Sequence, residues 1–220
     1  MFTEAQAQYS PSRRHVRRRA ILSSVTLGTV GSLLLNACGG NQTAPFDRVF
    51  IDMMVPHHQG AVEMAKLAQQ RGEHPEIKQL ADAIIRGQNE EITKMKDWRK
   101  AWYGSDQTPP MNKMPMVPGV PGVPAATTPG AAGSTSRMDH GAGGTMDMMA
   151  DVDKLRGAQA PFDRAFIDMM IPHHQSAIDA ARAAETRAEK QEIKELAKAI
   201  GADQQREIDQ MRAWRRSWYG

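Results

Sequence analysis

The chain has 220 residues, room for one or two ordinary domains, with 40% hydrophobic and 24% charged residues and a mean hydropathy of −0.54. Its net charge of +3 is local: residues 1–37 carry five arginines against Glu4, which leaves 23 basic and 24 acidic residues in the remainder. Without a basic surplus to neutralise phosphates, nucleic acid is excluded as the principal partner.

The five arginines (Arg13, Arg14, Arg17, Arg18, Arg19) precede Ala20–Leu35, an uncharged, largely apolar run of 16 residues. That is shorter than the ~20 residues a spanning helix needs, and the basic-then-apolar order is that of an export signal. Arg18-Arg19 also resembles a twin-arginine signal. The run closes on Leu35-Asn36-Ala37-Cys38-Gly39-Gly40, which resembles a bacterial lipoprotein box. On that reading residues 1–37 are a removable signal peptide, Cys38 receives lipid and anchors the protein at the cell envelope, and residues 38–44 form a short tether. An ordinary signal peptide with an incidental cysteine is the alternative. With a single cysteine, no disulfide can form within the chain in the oxidising compartment that this address implies.

Residues 45–104 and 161–220 align without a gap, and 34 of the 60 paired positions are identical. In the first copy Phe46, Phe50, Met53, Met54, His57, Ala61, Met64 and Ala68 recur at the three- and four-residue spacings of one helical face. Gly72 and Pro75 stop that helix and start another, whose stripe runs Ile77, Leu80, Ile84, Gln88, Glu91, Met95, Trp98, Trp102. The second copy repeats the pattern through Gln204, Glu207 and Met211. One hairpin cannot bury both its faces, but two can pack as an all-α four-helix bundle. Pro56 and Pro172 fall inside the first helix of each copy and predict a kink there; the alternative is a helix that begins at the proline. Between the copies, residues 105–160 contain Pro118-Gly119-Val120-Pro121-Gly122-Val123-Pro124 and read as a flexible linker, with a short helix predicted within 146–156.

The chemistry concentrates in Asp52-Met53-Met54-Val55-Pro56-His57-His58-Gln59 and its repeat Asp168-Met169-Met170-Ile171-Pro172-His173-His174-Gln175. At 100° per residue His57 lies inside the apolar face and His58 at its edge. Met53–His57 and Met54–His58 are four-residue pairs, as are Met169–His173 and Met170–His174, so thioether and imidazole could meet on one ion. Soft, uncharged donors of this kind suit Cu(I). Methionines and histidines on such a face are also ordinary core residues. Gln88, Glu91 and Met95, with Gln204, Glu207 and Met211, interrupt or follow the apolar stripe of the second helix. A carboxylate placed there needs a partner, and Glu91 is expected to hold the second nitrogen of His57, with an ion pair to Arg48 or Arg86 as the competing arrangement. Asp52 and Asp168 complete the candidate supporting set. In the linker, Met111, Met114, Met116, Met138, His140, Met146, Met148 and Met149 offer further thioethers and one imidazole where little core is expected; mobile donors of this kind would capture and pass on Cu(I) or Ag(I).

The pattern Phe-Ile-Asp-Met-Met-x-Pro-His-His-Gln, followed by Gln-x-x-Glu-Ile-x-x-Met-x-x-Trp, resembles the domain-of-unknown-function family 305, which includes CopM-like periplasmic copper-binding proteins. The resemblance covers nearly all of residues 45–220 and implies a ferritin-like four-helix bundle. For its characterised members it implies Cu(I) and Ag(I) binding in copper resistance, on the segment matched here by Met53, Met54, His57, His58, Met169, Met170, His173 and His174. A copper transporter or copper enzyme is the partner such a protein would serve. Met64 becomes Ala180 and His74 becomes Lys190 in the second copy, so a site that relies on either cannot be duplicated. An enzyme is not expected. Glu-x-x-His, required by di-iron carboxylate oxidases of this architecture, and His-Glu-x-x-His, required by zinc peptidases, do not occur in the sequence. The rival reading is an interaction module in which the histidines and methionines only pack.

Overall fold

The computed structural model describes residues 44–117 and 145–220. The signal peptide, Cys38, Met138, His140 and the Pro118–Pro124 run lie outside the described residues. Four long helices form the body: α1 (Phe46–Arg71), α2 (Pro75–Tyr103), α4 (Phe162–Arg187) and α5 (Gln191–Tyr219), with a short α3 (Met148–Arg156) before α4. Apart from a 3-10 turn at Met111–Lys113 and a two-residue antiparallel ladder, β1 (Met114–Pro115) with β2 (Thr145–Met146), every element among the described residues is α-helical. The fold is all-α, as the periodicity predicts. None of the described helices is long and apolar enough to cross a membrane.

Each boundary has a local cause. Pro75 occupies the first turn of α2, where its missing N–H costs nothing, and Gly104 ends the helix in the left-handed region with φ 78°. Helices α1 and α4 run unbroken through Pro56 and Pro172, so neither begins at its proline. Neither α2 nor α5 has a side-chain cap of its own. An acid from the other copy stands in instead. The carboxylate of Asp163 accepts the backbone N–H groups of Glu73 (3.0 Å) and His74 (2.8 Å) and bonds His74 Nδ1 at 2.7 Å. Asp47 accepts the N–H of Glu189 at 3.1 Å before α5. Both acids are buried, and these N–H groups sit at the positive ends of the helices that follow.

α1 packs along α2, α4 along α5, and the two hairpins meet through α1 and α4. The first half of α1 shares one core with the second half of α4 and the start of α5: Phe50, Ile51, Met53 and Met54 pack with Ala177, Ala181 and Ala184 of α4 and Ile193 and Ile200 of α5. The second half of α1 shares another with the first half of α4: Ala61, Met64 and Ala68 pack with Phe162, Phe166, Ile167 and Met170. The two central helices therefore run antiparallel, and the paired histidines fall between the two cores.

The ends of the linker belong to this body. Met114, Val117 and Met148 are buried in the first core, and Val152 and Leu155 of α3 in the second. The Asp147 carboxylate caps α3 by accepting from Met149 N–H at 2.9 Å, and Arg71 donates to the carbonyls of Arg156 and Ala158 at its far end. The sequence expectation of a stretch with little core to fill fails at these two ends. Each fully buried side chain of this size contributes about 1.5–3 kcal/mol, enough to hold nine helical residues that would not stay helical alone.

Candidate metal centre

His57 and His173 meet where α1 crosses α4, with ring centroids 3.9 Å apart and planes tilted by 44°. His58 and His174 flank them, 6.2 Å from His57 and 6.3 Å from His173. All four imidazoles are buried, His58 and His174 completely. The edge position that the helical wheel assigns to His58 is thus as dry as the face. Burial holds His57 and His173 well below the ordinary imidazole value of 6.5, and the neighbouring imidazoles push the same way. Both are neutral at neutral pH, with a lone pair on one ring nitrogen.

The carboxylates pair differently from the sequence expectation. Glu91 bonds Nε2 of His58 at 2.7 Å rather than His57, and Glu207 bonds Nε2 of His174 at 2.6 Å. Arg48 pairs with Asp52 and not with Glu91. Because a carboxylate accepts, His58 and His174 donate through Nε2–H, and Nδ1 of each ring has no partner among the described residues. His57 is held by a residue that the sequence analysis did not single out. Ser176 Oγ donates to the carbonyl of His173 at 2.6 Å, so at 2.7 Å it accepts from His57 Nε2–H. His173 has no partner on either nitrogen among the described residues. Five ring nitrogens of the layer are left unbonded in this way, together with Gln88 Oε1 and both polar atoms of the Gln204 amide.

The thioethers surround this layer unevenly. Met53, Met54, Met95, Met114 and Met148 are buried in the first core and Met170 and Met211 in the second, while Met169 is half-buried. Met111, Met116 and Met149 are half-buried at the edge of the body. Asp52 and Asp168 stand apart. Asp52 takes a forked contact from the buried Arg99, and Asp168 pairs with Arg215 at 2.8 Å, so both brace the helices rather than the histidines. Above the layer, a groove of about 600 Å³ between α2 and α5 is lined by Gln88, Glu91, Gln204 and Glu207, among other residues. Among the described residues no group of three or more His, Cys, Asp or Glu side chains is arranged as a ready cation cage.

The DUF305 family model, described as a domain of unknown function, matches residues 47–215. No curated protein matches the chain. Among solved structures, CopM in its Cu(I)-bound form is similar at 36% identity and a TM-score of 0.59, over 79% of this chain and 98% of that one. CopM in its silver-bound form, obtained by soaking, is similar at 37% identity and a TM-score of 0.58, over 79% and 97%. A DUF305 protein from Streptomyces coelicolor shares the fold at 24% identity and a TM-score of 0.56, over 76% and 90%.

Proposed function

The chain belongs to the DUF305 family, and from that premise we propose that it is an envelope lipoprotein that binds Cu(I), and Ag(I) in its place, through imidazole and thioether donors. On this reading it buffers copper or delivers it to a transporter or copper enzyme. The observation that carries the reading is the buried layer of four histidines with five unbonded ring nitrogens. A buried polar atom without a partner costs about 1–3 kcal/mol, and a soft cation would satisfy several of them at once.

The donors fit such a cargo. Neutral imidazoles and thioethers release no proton when they bind, and they favour a soft monovalent ion over magnesium or calcium, which take oxygen ligands. Met53, Met54, Met169 and Met170 sit one turn before the histidines. Glu91 and Glu207 fix the ring orientation of His58 and His174, and on the α2–α5 groove they offer negative charge to an arriving cation. CopM, solved with Cu(I) and with silver, supports this assignment by its similarity. The same reading makes the protein a carrier and not a catalyst, anchored through lipid on Cys38.

An anaerobic Cu(I) titration against a chromophoric competitor, run on the protein and on a His57→Ala/His173→Ala variant, tests the proposal. Tight binding that drops in the variant, with helical circular dichroism intact, is the expected result. Binding that survives moves the site to the outlying methionines. No binding by the parent protein leaves an interaction module with packed histidines. The anchor has its own test. Labelled fatty acid should be incorporated by the protein in cells and not by Cys38→Ala, and equal labelling would sink the lipoprotein assignment.

A further inference from the structure

Among the positions at which the two copies differ, Gly60 and Ser176 lie against the paired histidines. Ser176 follows His173 by three residues, and its hydroxyl oxygen accepts a hydrogen bond from His57 Nε2–H. The matching position after His57 is Gly60, so no hydroxyl is offered to His173 in return. A Cβ placed on Gly60 would lie 3.6 Å from His173 Nε2, 3.2 Å from Met148 Cβ and 3.8 Å from Met148 Cγ. The space that a serine would fill is therefore shared by the Met148 side chain and a ring nitrogen that has no hydrogen-bond partner among the described residues. His173 is 6% exposed and Met148 7% exposed. Met148 is not free to wander, because Asp147 caps its helix and Val152 and Leu155 anchor it in the core.

We infer that His173, through Nε2, and the thioether of Met148 form a two-coordinate position for a soft monovalent cation of the Cu(I) or Ag(I) class, present once per chain. The inference rests on the copper-binding reading above and makes its site unequal. His57 is tied to a hydroxyl through Nε2, whereas neither nitrogen of His173 is committed to a partner among the described residues, so its one lone pair can sit on Nε2. An imidazole nitrogen and a thioether are uncharged, polarisable donors, and two-coordinate geometry is one that a closed-shell soft cation accepts and a hard divalent ion does not. Both donors are buried, which excludes the water that would otherwise complete the coordination of a harder ion. Gly60 is the enabling residue: a side chain there would press on Met148 and give His173 a competing partner. Met148 thus acts from a fixed helix, and among the described residues α3 is the one short α-helix of this kind.

The test is a titration of the full chain, labelled with methyl-13C methionine, with Ag(I) as a diamagnetic probe. Met148→Leu assigns the Met148 methyl signal and preserves volume, so the fold should hold. The expected result is a Met148 methyl shift that saturates with the first equivalent. Silver affinity for that equivalent should fall about tenfold or more in Met148→Leu, since one of two ligands is gone. Gly60→Ser should abolish the Met148 shift. If its tight contact with Met148 Cβ unfolds that variant, Met148→Leu alone carries the comparison. A Met148 methyl that stays still while silver binds elsewhere overturns this inference and leaves the copper reading standing. No silver binding at all removes both.

Discussion

Glu91 and Glu207 govern how the outer histidines of the layer present themselves. Each carboxylate fixes one ring at Nε2 and so decides which nitrogen is left for a ligand. Glu91→Ala should lower protein stability by about 1–3 kcal/mol, the cost of leaving a completely buried imidazole donor unpaired. It should also weaken Cu(I) binding by about 10- to 100-fold, the usual effect of removing a group that orients a metal-ligating histidine. Glu91→Gln, whose carbonyl can still accept from Nε2–H, should recover most of both. Urea unfolding and competitive Cu(I) titration of the two variants check this. Equal loss in both would mean that negative charge, and not orientation of the ring, is what His58 needs.

At the scale of elements, the hairpins are interlocked at their turns. The acid that opens α1 serves the start of α5, and the acid that opens α4 serves the start of α2. Each copy therefore closes the other's turn, which a single hairpin could not do. Asp163→Ala should cost about 1–2 kcal/mol, the upper range for loss of a helix cap, because the site is buried and the freed N–H groups cannot all reach water. Hydrogen exchange at Glu73 and His74 should rise with it, while the α4–α5 turn keeps its protection. Faster exchange at both turns would mean that the caps act through global stability alone. The linker ends show the same logic. Met114 and Met148 look in sequence like mobile soft donors, but α3 and the short ladder insert them into the first core beside Met53 and Met54.

Across the whole molecule, a polar layer divides two apolar cores, and the layer's own chemistry sets a pH dependence. His57 and His173 are held neutral by burial, so in the folded state they protonate well below 6.5, whereas in the unfolded chain they protonate near 6.5. Between those limits the unfolded state binds more protons. Stability is therefore fully present above pH 6.5 and falls as pH drops below it, by about 1.4 kcal/mol per pH unit for each histidine. Denaturant midpoints of the metal-free protein from pH 7.5 to 5 should show this slope, and His57→Ala/His173→Ala should flatten it. An unchanged slope in the double variant would assign the pH dependence to other groups.

Much of the fold and part of the site could be read along the chain. Helices, the repeat, the all-α class and the burial of His57 follow from spacing within one helix, because a periodicity of 3.6 residues is a local property that the sequence records directly. The burial of His58 does not follow. A helical wheel assumes one buried face, whereas α1 has α2, α3 and α4 packed around it, so positions 100° apart are both covered. Partner choice was equally hidden. Glu91 can be seen to need a base, but whether it reaches His57 or His58 depends on the rotation of α2 about its own axis, which only packing sets. The difference between Gly60 and Ser176 is visible when the copies are compared, yet it acquires meaning only where α1 crosses α4 and brings His57 to Ser176, and Gly60 to His173 and Met148. Local periodicity thus determined the elements and their buried faces. Contacts between residues far apart in the chain were decided by the rigid-body placement of the helices, a quantity that no single stretch of sequence contains.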